Sequence, residues 1–498
     1  MKTKYKKQFV YALVILFLIA ALLLVYFCFT ESSSDSATPS LGGLKKETLI
    51  IWYTDDALTE FLNNRALAFY DETDIRVETK LVSGLEYLEE INRTSIYEQD
   101  KLPDIYILTN DSLEKAYLAG LAADISDSGI VTQDRSFCSA AVNAVTYKDK
   151  ILGCPFYFET SALLYNKTYL EQIAAQTNEA YAASENAGAA AENAGASGEN
   201  ADASEDAGVR LTAEDLIPST IADILNISDT YSMPENAEYF FRWDVSDIFY
   251  NYFIVGNYIT VGGEAGDDKN SIDIYNEDSI GSLEAYRQLS QFFSIDIEET
   301  SYESILQEFI DGKTVYTIAT SDCIDKLGEA AQDGRFPYEY GITKLPDINS
   351  GLATRGMSVT DALVVNGYSR HKESAVRLVR YLSENSVDSL YAMAGKVAAL
   401  PSAEYADSHM EAFMRNYALS APMPKMVETS NFWIELETCL ERVWGGEEPN
   451  EQLKALSEKI KSQLAGEQVS EQALDSPDVK LINAVEYEDS GETSATTE

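Results

Sequence analysis

The chain has 498 residues, of which 37 are basic and 82 acidic, so its formal net charge at pH 7 is −45. This charge opposes binding to polyanions, which excludes nucleic acid as a partner, and it keeps an exposed protein soluble. The two histidines and the lack of any C-x-x-C spacing among the five cysteines argue against a zinc site. The length is sufficient for two or three compact units with sizeable cores.

The N-terminus combines a basic start with a long apolar segment. Four lysines among the first seven residues precede residues 9–29, which carry no charge and are long enough to span a membrane. The lysines place the N-terminus in the cytoplasm and everything from about Glu31 onward outside it. We therefore expect an extracytoplasmic protein anchored to the cell membrane by residues 9–29. Lipidation at Cys28 and cleavage as a signal peptide are the alternatives.

Strand and helix patterns alternate after the apolar segment. Strands are predicted at 48–54, 74–82 and 103–109, and helices at 57–72, 85–99 and 112–120. Such alternation predicts an α/β protein with a parallel sheet covered on both faces. Ligands of these sheets lie beyond the carboxyl ends of the strands, where this chain has Asp56, Asn110 and Asp111. The alternative role of these three residues is to cap the helices that follow them.

Two segments have compositions that do not support a core. Residues 174–209 are almost entirely Ala, Glu, Asn, Gly and Ser, with "ENA" repeated every seven residues from Glu185. No apolar seam accompanies the repeat, so we expect a disordered or weakly helical surface insertion. The acidic C-terminal tail, residues 466–498, is also expected to be disordered.

Four cysteines lie beyond the apolar segment: Cys138, Cys154, Cys323 and Cys439. An even number in an exported protein allows up to two disulfides, for example Cys138 with Cys154, and buried free thiols are the alternative. The sequence has no nucleophile elbow, P-loop, GxGxxG motif or metal constellation. We therefore expect a binding protein that has no cofactor and is not an enzyme.

Seven segments, in chain order, share the pattern of one family. They are "TLIIWYTDD", "LPDIYILTNDSLEKAYLAGLAADIS", "AVTYKDKILGCPFYFETSALLYNK", "ILQEFIDGKTVYTIATSD", "YGITKLPD", "RGMSVTDALVVNGYSRHKESAVRLVRYLS" and "SNFWIELETCLERVWGGEEPNEQLKALSEKI". In this order they resemble extracellular solute-binding protein family 1, the maltodextrin-binding-like receptors of ABC importers. The resemblance spans nearly the whole chain beyond the apolar segment.

The resemblance implies a type II periplasmic-binding-protein-like fold. In this fold two α/β lobes are joined by crossing strands, here near 158–161, 356–361 and 405–410, and close around the ligand. The implied organisation is an N-terminal segment and linker (1–46), a first lobe (47–158), a second lobe with the insertion (159–355), a hinge and return to the first lobe (356–408), C-terminal helices of the second lobe (409–465) and the tail (466–498).

The resemblance also assigns ligand contacts. By position, Asp56, Asp111 and Glu159 resemble the carboxylates that accept hydrogen bonds from sugar hydroxyls in the maltodextrin-binding members. Trp433 matches the family's C-terminal aromatic residue, whose ring stacks on the apolar face of a pyranose. Asn110 lies beside Asp111 in the second of these loops.

Other aromatic residues admit two roles. Phe240 and Trp243 match a second-lobe aromatic segment that can stack on a sugar, but they belong to a run with so many aromatic residues that some must pack in the core. Trp52 lies in an apolar strand and is expected in the core, and Trp444 is expected to pack between helices.

The chain departs from the maltodextrin-binding members near both first-lobe acids. Ala57 stands where those members have a basic residue, and Leu108 and Ser112 stand where they have a Trp and an Arg. The resemblance therefore implies the fold and the class of ligand, and it leaves the individual sugar open.

We expect a monomeric receptor that captures a carbohydrate and delivers it to an ABC permease in the membrane. A membrane-tethered sensor or scaffold of the same fold, or a binding protein for a non-sugar solute, is the alternative. A glycoside hydrolase would need two carboxylates at a suitable separation, and the resemblance carries no hydrolytic role.

Overall fold

The structure of the chain is a computed structural model that describes residues 47–131, 137–193, 210–293, 295–387, 389–405 and 407–481. The predictions for residues 9–29, for Cys28 and for residues 482–498 lie outside this part of the chain. Within it, no helix has the length and apolar character needed to cross a membrane. All elements below belong to the unit Thr48–Glu498.

The strands and helices alternate through most of the chain. The strands are β1 (Thr48–Tyr53), β2 (Arg76–Leu81), β3 (Ile105–Thr109), β4 (Thr146–Tyr147), β5 (Lys150–Ile151), β6 (Cys154–Thr160), β7 (Ala162–Asn166), β8 (Tyr239–Phe241), β9 (Thr260–Val261), β10 (Ile272–Asp273), β11 (Thr314–Ala319), β12 (Tyr340–Thr343), β13 (Met357–Val365), β14 (Val397–Ala398) and β15 (Ala421–Pro422). The helices are α1 (Leu58–Thr73), α2 (Tyr87–Tyr97), α3 (Leu113–Leu118), α4 (Ser139–Val145), α5 (Lys167–Asn193), α6 (Ile221–Thr230), α7 (Ile248–Asn251), α8 (Glu277–Phe293), α9 (Tyr302–Ile310), α10 (Cys323–Gln332), α11 (Lys372–Glu384), α12 (Leu390–Ala394), α13 (His409–Leu419), α14 (Phe432–Trp444) and α15 (Pro449–Ala465).

The first lobe is built on a seven-stranded sheet of order β14-β6-β13-β3-β1-β2, with β15 paired to the start of β13. Strands β2, β1 and β3 are parallel, as predicted. Strand β13 is antiparallel to both β3 and β6, so the sheet as a whole is mixed. The reason is that β13 enters this lobe from the second one, whereas β6 leaves it.

The second lobe is built on a four-stranded sheet of order β12-β7-β11-β8. Strand β7 is antiparallel to both of its neighbours, and β8 is parallel to β11. The helix before β11 ends as predicted at Gly312, whose φ of 74° is a left-handed conformation that glycine adopts without strain. Strand β11 is buried along its whole length, which makes it the centre of this lobe's core.

Two strands connect the lobes side by side. Strand β6 ends at Thr160 and β7 begins at Ala162 in the other sheet, so the chain passes between the sheets at Ser161. The returning strand β13 begins at Met357, whose carbonyl oxygen accepts a hydrogen bond from Thr160 Oγ1 at 2.8 Å. Both passages lie within the predicted crossings 158–161 and 356–361. Helix α13, which follows the third predicted crossing, packs against strands of both sheets.

Two segments whose composition does not support a core have defined structure within the described residues. Helix α5 continues to Asn193, so the first part of the insertion 174–209 is helical. Alanine has the highest helix propensity, and Asn178 anchors the helix through hydrogen bonds with the backbone of Leu211 at 2.8 and 3.0 Å. Residues 194–209 lie outside the described residues.

The acidic tail is the second such segment, and the prediction is wrong for residues 466–481. These residues return along the second lobe, where the carbonyl of Val479 accepts a hydrogen bond from Gln288 and Leu481 is buried. Glu471 accepts hydrogen bonds from Ser457 and Lys461 at 2.5 Å. Although the segment is acidic, a few of its apolar and hydrogen-bonding residues hold it against α8 and α15.

Candidate ligand-binding cleft

A cavity of about 620 Å³ lies between the two lobes. Its walls come from the crossing strands, from the loop before β14, and from the ends of second-lobe helices. The lining residues are Glu159, Asp247, Ile248, Phe249, Tyr250, Tyr302, Glu303, Thr320, Ser321, Asp322, Met357, Val359, Gly395, Lys396, Met423 and Trp433.

Strand register brings charged side chains of the first lobe together. Glu159 of β6 is opposite Val359 of β13, and Tyr157 is opposite Asp361. Strand β14 pairs with the other edge of β6 through Val397 and Phe158, and continuing this register by one residue puts Lys396 opposite Glu159. Because paired residues on neighbouring strands point to the same face, Glu159, Asp361 and Lys396 share one face of the sheet.

Lys396 bridges two carboxylates at this face. Its Nζ lies 3.0 Å from Asp55 Oδ2 and 3.2 Å from Glu159 Oε1, and 5.5 Å above the Tyr157 ring. Although partial burial acts to lower the pKa of Lys396, the carboxylates of Glu159 and Asp55 raise it above its ordinary value. The ammonium group is therefore charged at neutral pH and holds the two acids in place.

Asp361 lies deeper in the same group. Desolvation, followed by the negative charge of Glu159, raises the pKa of Asp361 to about 7, while Lys396 acts in the opposite direction. Asp111 and Asp55 contribute further negative charge. The first-lobe wall is thus a group of carboxylates around a single ammonium, one of which takes up a proton near neutral pH.

The second-lobe wall combines aromatic rings with carboxylates. The rings of Tyr250 and Tyr302 stack with their centroids 4.8 Å apart, and Tyr302 Oη donates to Asp322 Oδ1 at 2.6 Å. Trp433 is partly exposed at the cavity, and its ring packs edge-on against Tyr252 at 5.3 Å. These contacts hold three flat apolar surfaces opposite the charged wall.

The segment before α14 fixes the position of Trp433. Lys425 is buried, and its Nζ donates to the carbonyl oxygens of Asn143 and Thr146 at 2.5 and 2.7 Å. The backbone N–H of Val427 donates to Glu114 Oε2 at 2.5 Å. Both anchors belong to the first lobe, so the helix that presents Trp433 is tied to the first lobe at its start and packs on the second.

Two of the predicted site residues line the cavity, namely Glu159 in the first lobe and Trp433 on the opposite side. Asp111 is exposed at the carboxyl end of β3, where its Oδ1 accepts a hydrogen bond from Thr109 at 2.6 Å. It is close enough to Asp361 to influence the pKa of that carboxyl.

Asp56 and Asn110 do not have the predicted positions. Asp56 is exposed and does not line the cavity, because the turn after β1 directs the neighbouring Asp55 to Lys396 instead. The same turn lets Asp55 Oδ1 accept the Ala57 N–H at 3.0 Å. Asn110 is fully buried, and its Oδ1 accepts the backbone N–H of Thr360 at 3.0 Å, so it joins β13 to the first lobe.

Of the two roles left open for Phe240 and Trp243, the structure gives them the core one, and neither lines the cavity. Trp243 is 0% exposed, its ring stacks on Phe241 at 4.7 Å and its Nε1 donates to Asn251 at 2.9 Å. Phe240 is 8% exposed and packs in the same core. The aromatic run therefore supplies core side chains of the second lobe.

Trp52 and Trp444 are core residues, as predicted. Trp52 is 0% exposed within β1, and Trp444 packs edge-on against Trp243 at 5.4 Å. Sequence reasoning missed Asp55, Asp361, Lys396 and the pair Tyr250 and Tyr302. Lys396 had no sequence signal, because its partners lie more than two hundred residues away; Asp361 was inside the predicted second crossing.

The cleft offers hydrogen-bond acceptors and aromatic rings. Among the described residues, no group of three or more His, Cys, Asp and Glu side chains is arranged to hold a metal. Carboxylates with free lone pairs accept hydrogen bonds from hydroxyl groups, and flat rings cover apolar surface. The cleft therefore suits a ligand with a hydroxyl-rich edge and an apolar face.

The comparisons with known proteins agree that the chain is similar to solute-binding proteins. The family model for bacterial extracellular solute-binding proteins matches residues 64–412. A galactooligosaccharide-binding protein of Bacillus subtilis (strain 168) is 20% identical over 454 residues, covering 88% of this chain and 93% of the relative. A maltodextrin-binding protein of the same organism is 19% identical over 453 residues, covering 86% and 93%.

Solved structures show the same fold. The extracellular solute-binding protein from Staphylococcus aureus in complex with maltose superimposes with a TM-score of 0.64 at 19% identity, covering 84% of this chain and 98% of that chain. The two-lobed, type II periplasmic-binding-protein-like fold that the sequence implied is confirmed.

The protonation of Asp361 predicts how stability depends on pH. Because the pKa of Asp361 is about 7 in the folded protein and near 4 in an unfolded chain, the folded state binds the extra proton between these values, and stability falls as pH rises through them. Asp361→Asn should remove this pH-dependent loss of stability, because asparagine does not titrate. The free energy of unfolding of the variant, relative to wild type, should rise by about 2 kcal/mol between pH 5 and pH 8.

Thermal or urea unfolding at the two pH values measures this difference. Asp100→Asn is the control and should show no such trend, because Asp100 is exposed and is not among the charges that shift the pKa of Asp361. A difference between Asp361→Asn and wild type that is the same at both pH values would contradict the prediction.

Proposed function

The chain belongs to the bacterial extracellular solute-binding proteins, and we propose that it captures an oligosaccharide between its lobes and delivers it to an ABC importer. The observation that carries the proposal is the pairing of unlike walls across one cavity. Glu159 and Lys396 supply hydrogen-bonding groups on one side, and Trp433, Tyr250 and Tyr302 supply rings on the other. A pyranose has hydroxyl groups around its edge and an apolar face, and it can satisfy both walls at once.

The lobes close on the sugar by a hinge motion. The connection at Ser161 and Gly356 is narrow, and the cavity takes residues from both sides of it. A ligand that contacts both walls only when the lobes are together favours the closed state by the free energy of those contacts. The closed form is then the one that docks on the permease.

Relatives support a sugar as the ligand. The two Bacillus subtilis proteins bind galactooligosaccharide and maltodextrin by name, and the Staphylococcus aureus protein was solved with maltose. The alignments cover most of this chain and nearly all of each relative. We assign the class, an oligosaccharide, and leave the sugar itself to experiment.

The proposed site of action is the outer face of the cytoplasmic membrane. Residues 9–29 are uncharged and apolar, and the lysines before them favour a cytoplasmic N-terminus. An anchored receptor stays near the permease it serves. The protein acts as a monomer, since each chain carries both walls of the cleft.

Saccharide binding is the first prediction of this function. Maltooligosaccharides and galactooligosaccharides, screened against the purified full-length protein by thermal shift, should include at least one that raises the unfolding temperature. A ligand at one hundred times its Kd stabilises by about 2.7 kcal/mol. X-ray scattering with that sugar should show a smaller radius of gyration. A thermal shift with peptides or metal chelates and with no saccharide would contradict the assignment.

Replacement of Trp433 is the second prediction. Trp433→Ala removes a ring that lines the cavity, and the Kd for the best saccharide of the screen should rise by about tenfold or more, which is at least about 1.4 kcal/mol. Calorimetric titration measures it. Ile434→Ala is the control, because Ile434 is the next residue, is 68% exposed and does not line the cavity. Equal affinities for Trp433→Ala and wild type would remove Trp433 from the site.

A further inference from the structure

We propose that Lys396 determines the charge of the ligand that the cleft accepts, so that the cleft binds a neutral saccharide and rejects one that carries protonated amino groups. The proposal rests on the proposed function and names a property of the ligand that the family does not define. Its basis is the uneven distribution of charge around the cavity. Four carboxylates line the cavity, from Glu159, Asp247, Glu303 and Asp322, against one ammonium, that of Lys396.

The second-lobe acid closest to the tyrosines has its own counter-charge. Asp322 lies 2.7 Å from Lys326 Nζ, which also sits 5.1 Å from the Tyr302 ring centroid. Asp247 and Glu303 are exposed at the rim, where water screens them. The charges of this wall are therefore balanced or solvated without Lys396.

The first-lobe acids depend on Lys396 alone among the cavity-lining residues. Asp55 and Glu159 both contact its Nζ. The positive charge of Lys396 also acts on Asp361, whose pKa it lowers. The side chain of Lys396 is only 21% exposed, so the contacts are partly removed from water. Without a cation the carboxylates of Asp55 and Glu159 would repel each other, most strongly once a ligand excludes the remaining water. Above about pH 7 the charge of Asp361 adds to this repulsion.

The backbone keeps Lys396 in this position. Gly395, which ends α12, has a φ of 63°, a left-handed conformation that L residues rarely adopt. The register of β14 with β6 then aligns Lys396 with Glu159. The backbone thus fixes where the Lys396 side chain begins, and the ion pairs with Asp55 and Glu159 position its Nζ.

The ion pairs of Lys396 determine whether Asp55 and Glu159 favour a hydroxyl or an ammonium group of the ligand. With Lys396 present, Asp55 and Glu159 are partly neutralised and keep lone pairs for hydroxyl donors, and the third Nζ proton can go to a ligand oxygen. A ligand ammonium at the same place would meet the Lys396 charge at short range. Without Lys396, the same acids would favour that ammonium over a hydroxyl.

The test uses three full-length variants and two kinds of sugar. Lys396→Met removes the charge and keeps the chain length, Lys396→Arg keeps the charge, and Lys115→Met removes one surface charge of the same lobe that pairs with Glu89, away from the cleft. The neutral probes are the best saccharide of the screen and cellotriose. The cationic probe is the fully deacetylated glucosamine trisaccharide, which differs from cellotriose by an ammonium in place of one hydroxyl on each ring. Calorimetry at about pH 5 keeps both this amine and Lys396 protonated.

The expected result is a change of preference. Relative to wild type, Lys396→Met should bind the best neutral saccharide about tenfold more weakly and the glucosamine trisaccharide about tenfold more tightly. Lys396→Arg and Lys115→Met should retain the wild-type order. Equal loss of both sugars would mean that Lys396 has only a structural role, and unchanged affinity for both would mean that it has no role; either result overturns the proposal.

Thermal unfolding separates charge compensation from general damage. Lys396→Met should lose more of its unfolding temperature at pH 8 than at pH 5, because the acids it leaves behind are more fully charged at the higher pH. A loss independent of pH would overturn the proposal. If the wild-type protein binds no saccharide, the proposed function itself fails, whereas a neutral sugar that binds wild type and Lys396→Met equally leaves the function intact and overturns only this proposal.

Discussion

Strands β6 and β13 pair antiparallel from Thr160 with Ser358 to Cys154 with Leu363, and each ends or begins within a residue or two of the passage to the second lobe. One ladder of hydrogen bonds therefore serves two purposes. It forms the middle of the first sheet, and it is the mechanical link about which the lobes can move. A change of register by one residue would turn Glu159 and Asp361 to the opposite face of the sheet and remove them from the cleft.

The cleft that results is chemically asymmetric. On the first-lobe side, Glu159 and neighbouring acids surround Lys396. On the other side, the rings of Tyr250, Tyr302 and Trp433 lie among second-lobe carboxylates. The asymmetry follows from the elements that supply each wall. Strand ends present short polar side chains at the edge of a sheet, whereas helix ends and the segment anchored by Lys425 can hold large rings. Both kinds of surface line a single cavity, so one ligand can contact hydrogen-bonding groups and aromatic rings together.

The sequence predicted the parts of this account that depend on local pattern. The strands and helices of the first lobe, the stop at Gly312, the burial of Trp52 and the membership of Glu159 and Trp433 in one cleft all follow from apolar periodicity or from the resemblance. Predictions failed where tertiary packing decides. Trp243 and Trp433 are equally aromatic, and only the core around Trp243 shows that its ring is enclosed.

Other features had no local signal at all. Asp55 and Asp56 are adjacent and chemically identical, and the turn geometry after β1 selects the first of them. Lys396 reaches its partners only through the pairing of β14 with β6. The order of residues 466–481 depends on contacts with α8 and α15 that an acidic composition does not reveal. In each case the missing information is a long-range contact.

The most direct test of the central claim is a crystal structure of the protein with the saccharide that stabilises it most. The account predicts density for the sugar between the lobes, with hydroxyl groups within hydrogen-bonding distance of Glu159 or Lys396 and a pyranose face against Trp433. A sugar bound elsewhere on the surface, with Lys396 and Trp433 both free of contact, would contradict it.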